Sequence, residues 1–112
     1  MERVSVEELH GMLSSDLHPI IVDVRSPMAQ AQGRIPGAIT LSAGDALPTQ
    51  AADKEVIVYC DCPNDASAAA VSKGLMQSGY GRVRPLAGGI DVWLDAGYAV
   101  EVDLPNGVDI AA

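Results

Sequence analysis

Apolar positions along the chain recur in two rhythms, every third or fourth residue or in short unbroken runs, and the switches between them lay out the elements. Arg3-Val4-Ser5 reads as a short edge strand, after which Val6, Leu9 and Leu13 return at helical spacing with His10 beside the stripe. Ser5 is the expected N-cap, and Glu8 three residues on completes a capping box. Pro19 to Val24 is an apolar run broken by Asp23 and predicts a buried strand whose carboxyl end is marked by Asp23 and Arg25. Ser26-Pro27 starts a short helical turn through Gln32, with Ser at the cap and Pro at the first helical position. Gly33-Arg-Ile-Pro-Gly37 breaks it, Ala38 to Leu41 resumes as a short strand, and residues 42–54 form a surface connection with about one helical turn.

The longest such run is Glu55-Val-Ile-Val-Tyr-Cys60. Val56 to Tyr59 are β-branched or aromatic without alternation, the pattern of a central strand covered on both faces. Past a polar loop, Ala68, Val71 and Leu75 return at helical spacing and Gly79 supplies a stop. Arg82 to Leu86 is a last short strand, Ala87-Gly-Gly89 a tight turn, and Ile90 to Ala96 a final helix with Trp93 in the core. From Tyr98 the pattern fades, so residues 1–102 are expected to form one domain and 103–112 a tail. Strands alternating with helices predict an α/β fold: a mostly parallel sheet with helices on both faces.

Composition narrows what such a domain can do. The 112 residues are 48% hydrophobic and contain no Phe, so the core must be built of Val, Ile, Leu, Ala and Met. A formal charge of -8 argues against nucleic acid and anionic membrane surfaces as partners. No apolar run approaches the ~20 residues of a membrane span, and Glu2, Glu7, Glu8 and Asp16 replace the basic and apolar parts of a leader. The expectation is a soluble, cytoplasmic chain. Two cysteines, Cys60 and Cys62, are too close to staple a fold, which points to thiols kept for chemistry in a reducing compartment.

Cys60 ends the central strand at the edge where open α/β sheets place their ligands, and is the candidate nucleophile. It can also be read as a core thiol, since free Cys is among the most buried residue types. The Pro63-Asn64-Asp65 turn would aim the amides of a helix start back at the sulfur, favouring thiolate or an anionic persulfide by about 0.3–1 kcal/mol. Asp61 and Asp65 act the other way: a carboxylate ~6 Å away costs about 0.7 kcal/mol at ε ~80 and nearly 3 at ε ~20. The opposing effects offset, so no unusual acidity is predicted for Cys60. Cys62 is either a spectator or a resolving thiol, and a Cys-X-Cys disulfide would be strained and easily reduced. Two cysteines without neighbouring histidines make a poor metal site, so no metal or cofactor is expected. His18 precedes its strand and belongs to the opposite edge from Cys60; His10 is on the first helix; both read as solvated. Asp23 and Arg25 form a local ion pair, or else Arg25 or Arg34 supplies positive charge at the rim, a region where Lys and Arg are absent between Lys54 and Lys73. Gly88-Gly89 permits a turn with positive φ that can also wall the pocket.

Three segments together resemble the rhodanese-like domain family: Ile21-Val-Asp-Val-Arg25 with Gly33-Arg-Ile-Pro-Gly-Ala38, then Val58-Tyr-Cys60, then Leu86-Ala-Gly-Gly-Ile-Asp-Val-Trp93 with Ala96-Gly-Tyr98. The resemblance implies a five-stranded, largely parallel sheet. It also implies that Cys60 matches the family's active-site cysteine, which takes a sulfane sulfur as a persulfide and passes it to a thiophilic acceptor. The loop that follows, Asp61, Cys62, Pro63, Asn64, Asp65, Ala66 and Ser67, would cradle the persulfide with backbone amides. Members active on thiosulfate usually carry Gly and a basic or hydroxyl residue there; this loop is acidic, which disfavours a dianion held by charge-assisted hydrogen bonds. It argues more strongly against the phosphatase and arsenate-reductase relatives, whose enlarged loop ends in Arg. The loop, with Arg82-Val-Arg-Pro-Leu-Ala-Gly-Gly89, looks most like rhodanese-like domains attached to DedA-type bacterial membrane proteins. The expected partners are therefore a small or protein-bound sulfur donor and a thiol acceptor. The other classes are a non-catalytic sensor or interaction module, and a redox domain using Cys60 with Cys62.

Overall fold

The computed structural model describes residues 2–15, 17–41, 54–61 and 65–102. Helix α1 (Val6–Leu13) opens the chain, followed by β1 (Ile20–Asp23), α2 (Pro27–Ala31) and β2 (Ile39–Thr40). Then come β3 (Glu55–Tyr59), α3 (Ala66–Gln77), β4 (Arg82–Pro85) and α4 (Gly89–Asp95). The strands form one sheet in the order β2-β1-β3-β4, every pair parallel, with Val22 opposite Val58 and Val58 opposite Pro85.

The sheet explains the apolar run of β3. Ile57 and Tyr59 join Ile21, Leu86 and residues of α1 and α4 in one buried cluster, whereas Val56, Val58 and Cys60 join Val22, Val83 and residues of α3 in another. Val56, Ile57 and Val58 are fully buried, each worth about 1.5–3 kcal/mol. Helices therefore cover both faces, as the alternation predicts. On α1 the buried stripe is Val6, Leu9 and Met12; Leu13 is only partly buried against it. Ser5 Oγ accepts from the Glu8 amide at 3.0 Å, while the Glu8 carboxylate is drawn to Arg84, also at 3.0 Å. Ser26 caps α2 in the same way through the Ala29 amide, with Pro27 at the first turn.

The described residues form four strands, not the five expected. Val4 takes the fifth position as a single parallel bridge to Leu86, its amide donating to Pro85 O and its carbonyl accepting from Ala87 N. Two features stop the pairing there. Pro85 has no N–H to offer a longer partner on that edge, and Ser5 already commits the chain to α1. The connection at 42–53 and the tail at 103–112 lie outside the described residues. Among the described residues no helix is long and apolar enough to cross a membrane.

Candidate active site

Cys60 is the first residue past β3, where the ladder ends: Val24 N donates to Tyr59 O at 3.2 Å and Leu86 N to Val58 O at 2.8 Å. Its side chain belongs to the buried cluster facing α3, and the residue is 2% exposed. What fixes its backbone is the β4–α4 turn. Ile90 N donates to Cys60 O at 3.2 Å, and a methyl group on Gly89 would overlap that same carbonyl. Gly89 sits at φ 57, so the close approach and the backbone conformation both require glycine.

The same turn holds the far end of the loop. Asp65 lies at φ 56 in the left-handed region, which Asp tolerates better than most side chains. It is 4% exposed, accepting from Gly88 N at 3.2 Å and facing Arg3 Nε at 3.6 Å. Its carboxylate is therefore balanced by an amide and a guanidinium contributed by distant parts of the chain, which weakens the repulsion that sequence reading assigned to it. Asp61 is exposed. Ala66 and Ser67 form the exposed first turn of α3. Cys62, Pro63 and Asn64 lie outside the described residues.

On the face of the sheet opposite the Cys60 side chain is a buried polar network that the sequence disclosed only in part. Arg25 and Asp23 do form the local ion pair: Nε lies 3.0 and 3.1 Å from the two carboxylate oxygens and Nη2 2.7 Å from Oδ2. Nη2 also donates to Gly33 O at 2.7 Å, tying the β1 end to the turn after α2. Tyr59, the residue before Cys60, donates its hydroxyl to Asp23 Oδ2 at 2.7 Å and accepts from Ile35 N at 3.1 Å. Burial, with the hydrogen bond to Asp23, holds the Tyr59 hydroxyl well above the ordinary phenol range. For Arg25, burial works against the charge, but the hydrogen bonds and charge of Asp23 outweigh it and leave the guanidinium pKa raised. A buried Tyr hydroxyl needs a partner, and the β1–β3 register sets Tyr59 opposite Asp23 on the neighbouring strand. That was the available signal.

The two candidate rim arginines are both engaged. The Arg25 side chain is 5% exposed, and Arg34 bridges to Glu101 through paired backbone hydrogen bonds of 2.9 and 2.8 Å with its Nε 3.6 Å from the Glu101 carboxylate. His10 stacks on Tyr98 with ring centroids 4.1 Å apart, and His18 lies before β1, at the opposite end of the sheet from Cys60. A cleft of about 220 Å³ opens beside Asp61, between α2 and α4, with Arg25, Gly33, Ile90, Asp91 and Leu94 on its walls. Cys60 does not line it.

Comparison with known proteins places these features in a wider set. The sequence pattern of the rhodanese-like domain matches residues 5–96. A protein of Allochromatium vinosum named "Sulfurtransferase" is 32% identical over 111 residues, spanning 96% of this chain and 99% of its own. Among solved structures, a thiosulfate sulfurtransferase from Pseudomonas aeruginosa superposes with a TM-score of 0.78 at 22% identity, over 93% of this chain and 20% of that one. A rhodanese-related protein from Thermoplasma volcanium gives 0.73 at 24% identity, over 92% and 100%. At these identities the two structures speak for the fold alone.

Proposed function

The chain belongs to the rhodanese-like domain family, and on that premise we propose that it is a sulfurtransferase that carries sulfur on Cys60. The observation that carries this reading is the anchoring of Cys60: a thiol at the carboxyl end of the central parallel strand, with its carbonyl bound by Ile90 N and the far end of its loop by Gly88 N, the two residues that flank Gly89. In the proposed reaction the Cys60 thiolate attacks the outer sulfur of a sulfane donor. The donor's sulfur–sulfur bond breaks, its electron pair leaves with the donor residue (sulfite in the case of thiosulfate), and Cys60 becomes a persulfide. An acceptor thiolate then attacks the outer sulfur, the persulfide bond breaks, and the electron pair returns to Cys60. The protein's part in this proposal is positional: backbone amides that follow Cys60 would hold the anionic persulfide, and the Asp23-Tyr59-Arg25 network fixes the strand end on the opposite face of the sheet.

Exposed Asp61 makes a dianionic donor such as thiosulfate a poorer fit than a neutral or protein-bound one. Exposure to thiosulfate and to polysulfide, each followed by intact-mass measurement, is expected to add one sulfur atom with at least one donor; failure with both rejects the reading. The 2% exposure of Cys60 favours a second reading, a family member that binds or senses without turnover. Under that reading Cys60→Ser leaves cellular function intact.

A further inference from the structure

Resting on the sulfurtransferase reading, we propose that Arg3 is a positioning residue for Cys60: a cation from the start of the chain that offsets Asp65, the buried carboxylate at the far end of the Cys60 loop, and so lets the site hold an anionic sulfur. Between Lys54 and Lys73 the chain has no Lys or Arg, so the loop brings no cation of its own. Asp65 is 4% exposed, and its carboxylate meets two partners among the described residues, Gly88 N at 3.2 Å and Arg3 Nε at 3.6 Å. An amide carries no net charge. The guanidinium is therefore the counter-charge of this buried carboxylate.

Arg3 is aimed by the β4 edge. Val4 is held there by Pro85 O and Ala87 N, at 3.0 and 2.8 Å, and its side chain is buried in the cluster with α1 and α4. Side chains alternate along a bridged segment, so Arg3 belongs to the other face of the sheet, the one that α3 covers. The Cys60 side chain lies on that face, in one cluster with Ala68 of the first turn of α3, and Asp65 is the N-cap of that helix. From the opposite side of the loop, Asp65 binds Gly88 N, and Gly89, next in the chain, is the residue packed against the Cys60 carbonyl. Both routes set the Asp65 carboxylate on the order of 8 Å from the sulfur, about one and a half helical turns. The other charged and titratable groups around Cys60 do not change with Arg3. Exposed Asp61 adjoins it, and exposed Asp91 follows Ile90, whose amide binds its carbonyl. Asp23 and Arg25 are a matched pair with the Tyr59 hydroxyl on the opposite face, α3 carries no charge before Lys73, and Tyr80 packs on the cluster past the end of that helix.

The test is the pH midpoint of Cys60 alkylation by iodoacetamide in the unloaded protein, read in a Cys62→Ser background so that one thiol reports. A unit charge ~8 Å away, at an effective ε of roughly 20–80, moves such a midpoint by about 0.4–1.5 pH units. Arg3→Gln is expected to raise it by that amount, because the thiolate then faces an unmatched Asp65, and Arg3→Lys to restore most of the difference. Asp65→Asn, whose side chain tolerates the left-handed backbone, is expected to lower it. The double variant Arg3→Gln/Asp65→Asn should return close to the starting value; a role confined to fastening the start of the chain predicts no such return, since both partners are then lost. Arg82→Gln, the same charge change at the amino end of β4, should leave the midpoint where it was. A midpoint that does not rise in Arg3→Gln, or a double variant that stays as displaced as Arg3→Gln, overturns the assignment. Below the midpoint, sulfur loading from polysulfide should slow roughly 3–30-fold in Arg3→Gln, following the thiolate fraction. A wild type that never loads sulfur refutes the sulfurtransferase reading, while the alkylation midpoints still decide the role of Arg3.

Discussion

Asp23→Asn changes one atom and removes the charge around which the Cys60 end of the sheet is assembled. Asp23 is fully buried and accepts from the Arg25 amide at 2.9 Å, from Arg25 Nε and Nη2 at 2.7–3.1 Å, and from the Tyr59 hydroxyl at 2.7 Å. Every donor points at the carboxylate, so an amide places an N–H against an N–H or O–H at one of its two positions. The Arg25 guanidinium, 5% exposed, is also left without its counter-charge. Removing one partner of a buried, hydrogen-bonded ion pair costs about 3–5 kcal/mol. Set against the ~5–15 kcal/mol stability of an ordinary domain, this is a large fraction. Urea unfolding followed by circular dichroism should show the midpoint falling with little change in slope, and thermal unfolding a drop of roughly 12 °C or more. A loss below about 1 kcal/mol would refute the reasoning, since it would mean that the pair is already solvated or dispensable.

Other consequences are open to equally direct checks. Gly89→Ala adds a methyl group against the Cys60 carbonyl at a left-handed φ, so it should cost at least ~2 kcal/mol in urea unfolding and alter the alkylation rate of Cys60. Ser72, fully buried in α3, has no hydrogen-bond partner for its hydroxyl among the described residues, so Ser72→Ala should raise stability by about 1 kcal/mol, read from the urea midpoint. The raised Tyr59 pKa carries a sign: folding favours the protonated phenol, a contribution fully present below the unfolded value near 10 and lost as pH rises beyond it. Wild type should therefore lose up to ~1.4 kcal/mol per pH unit more than Tyr59→Phe above about pH 10, as measured by unfolding across that range.

The elements were legible where their causes are local. The β3 run, the serine caps of α1 and α2, the Gly79 stop and the Gly88-Gly89 turn each depend on residues within one or two turns of chain. What escaped depended on neighbours far away in sequence. Asp65 reads in isolation as a charge opposing a thiolate, but its environment is set by Arg3 and Gly88, residues from either end of the chain. Tyr59 reads as one more buried strand residue until β1 and Ile35 bring it partners. The five-stranded sheet was what the family resemblance implied, and the short edge strand read at residues 3–5 gave way to a helix cap and a proline on the facing edge. Met12 takes the place expected of Leu13 because the buried face of α1 continues from Leu9 by three residues instead of four.

The central claim is that sulfur is carried by Cys60. Its most direct measurement is peptide-level mass spectrometry after exposure to a sulfane donor, performed on wild type, Cys60→Ser and Cys62→Ser. The account predicts one added sulfur on the peptide containing Cys60 in wild type and in Cys62→Ser, removed by a thiol, and none in Cys60→Ser. Sulfur that persists in Cys60→Ser, or that never appears in wild type with any donor, would contradict it.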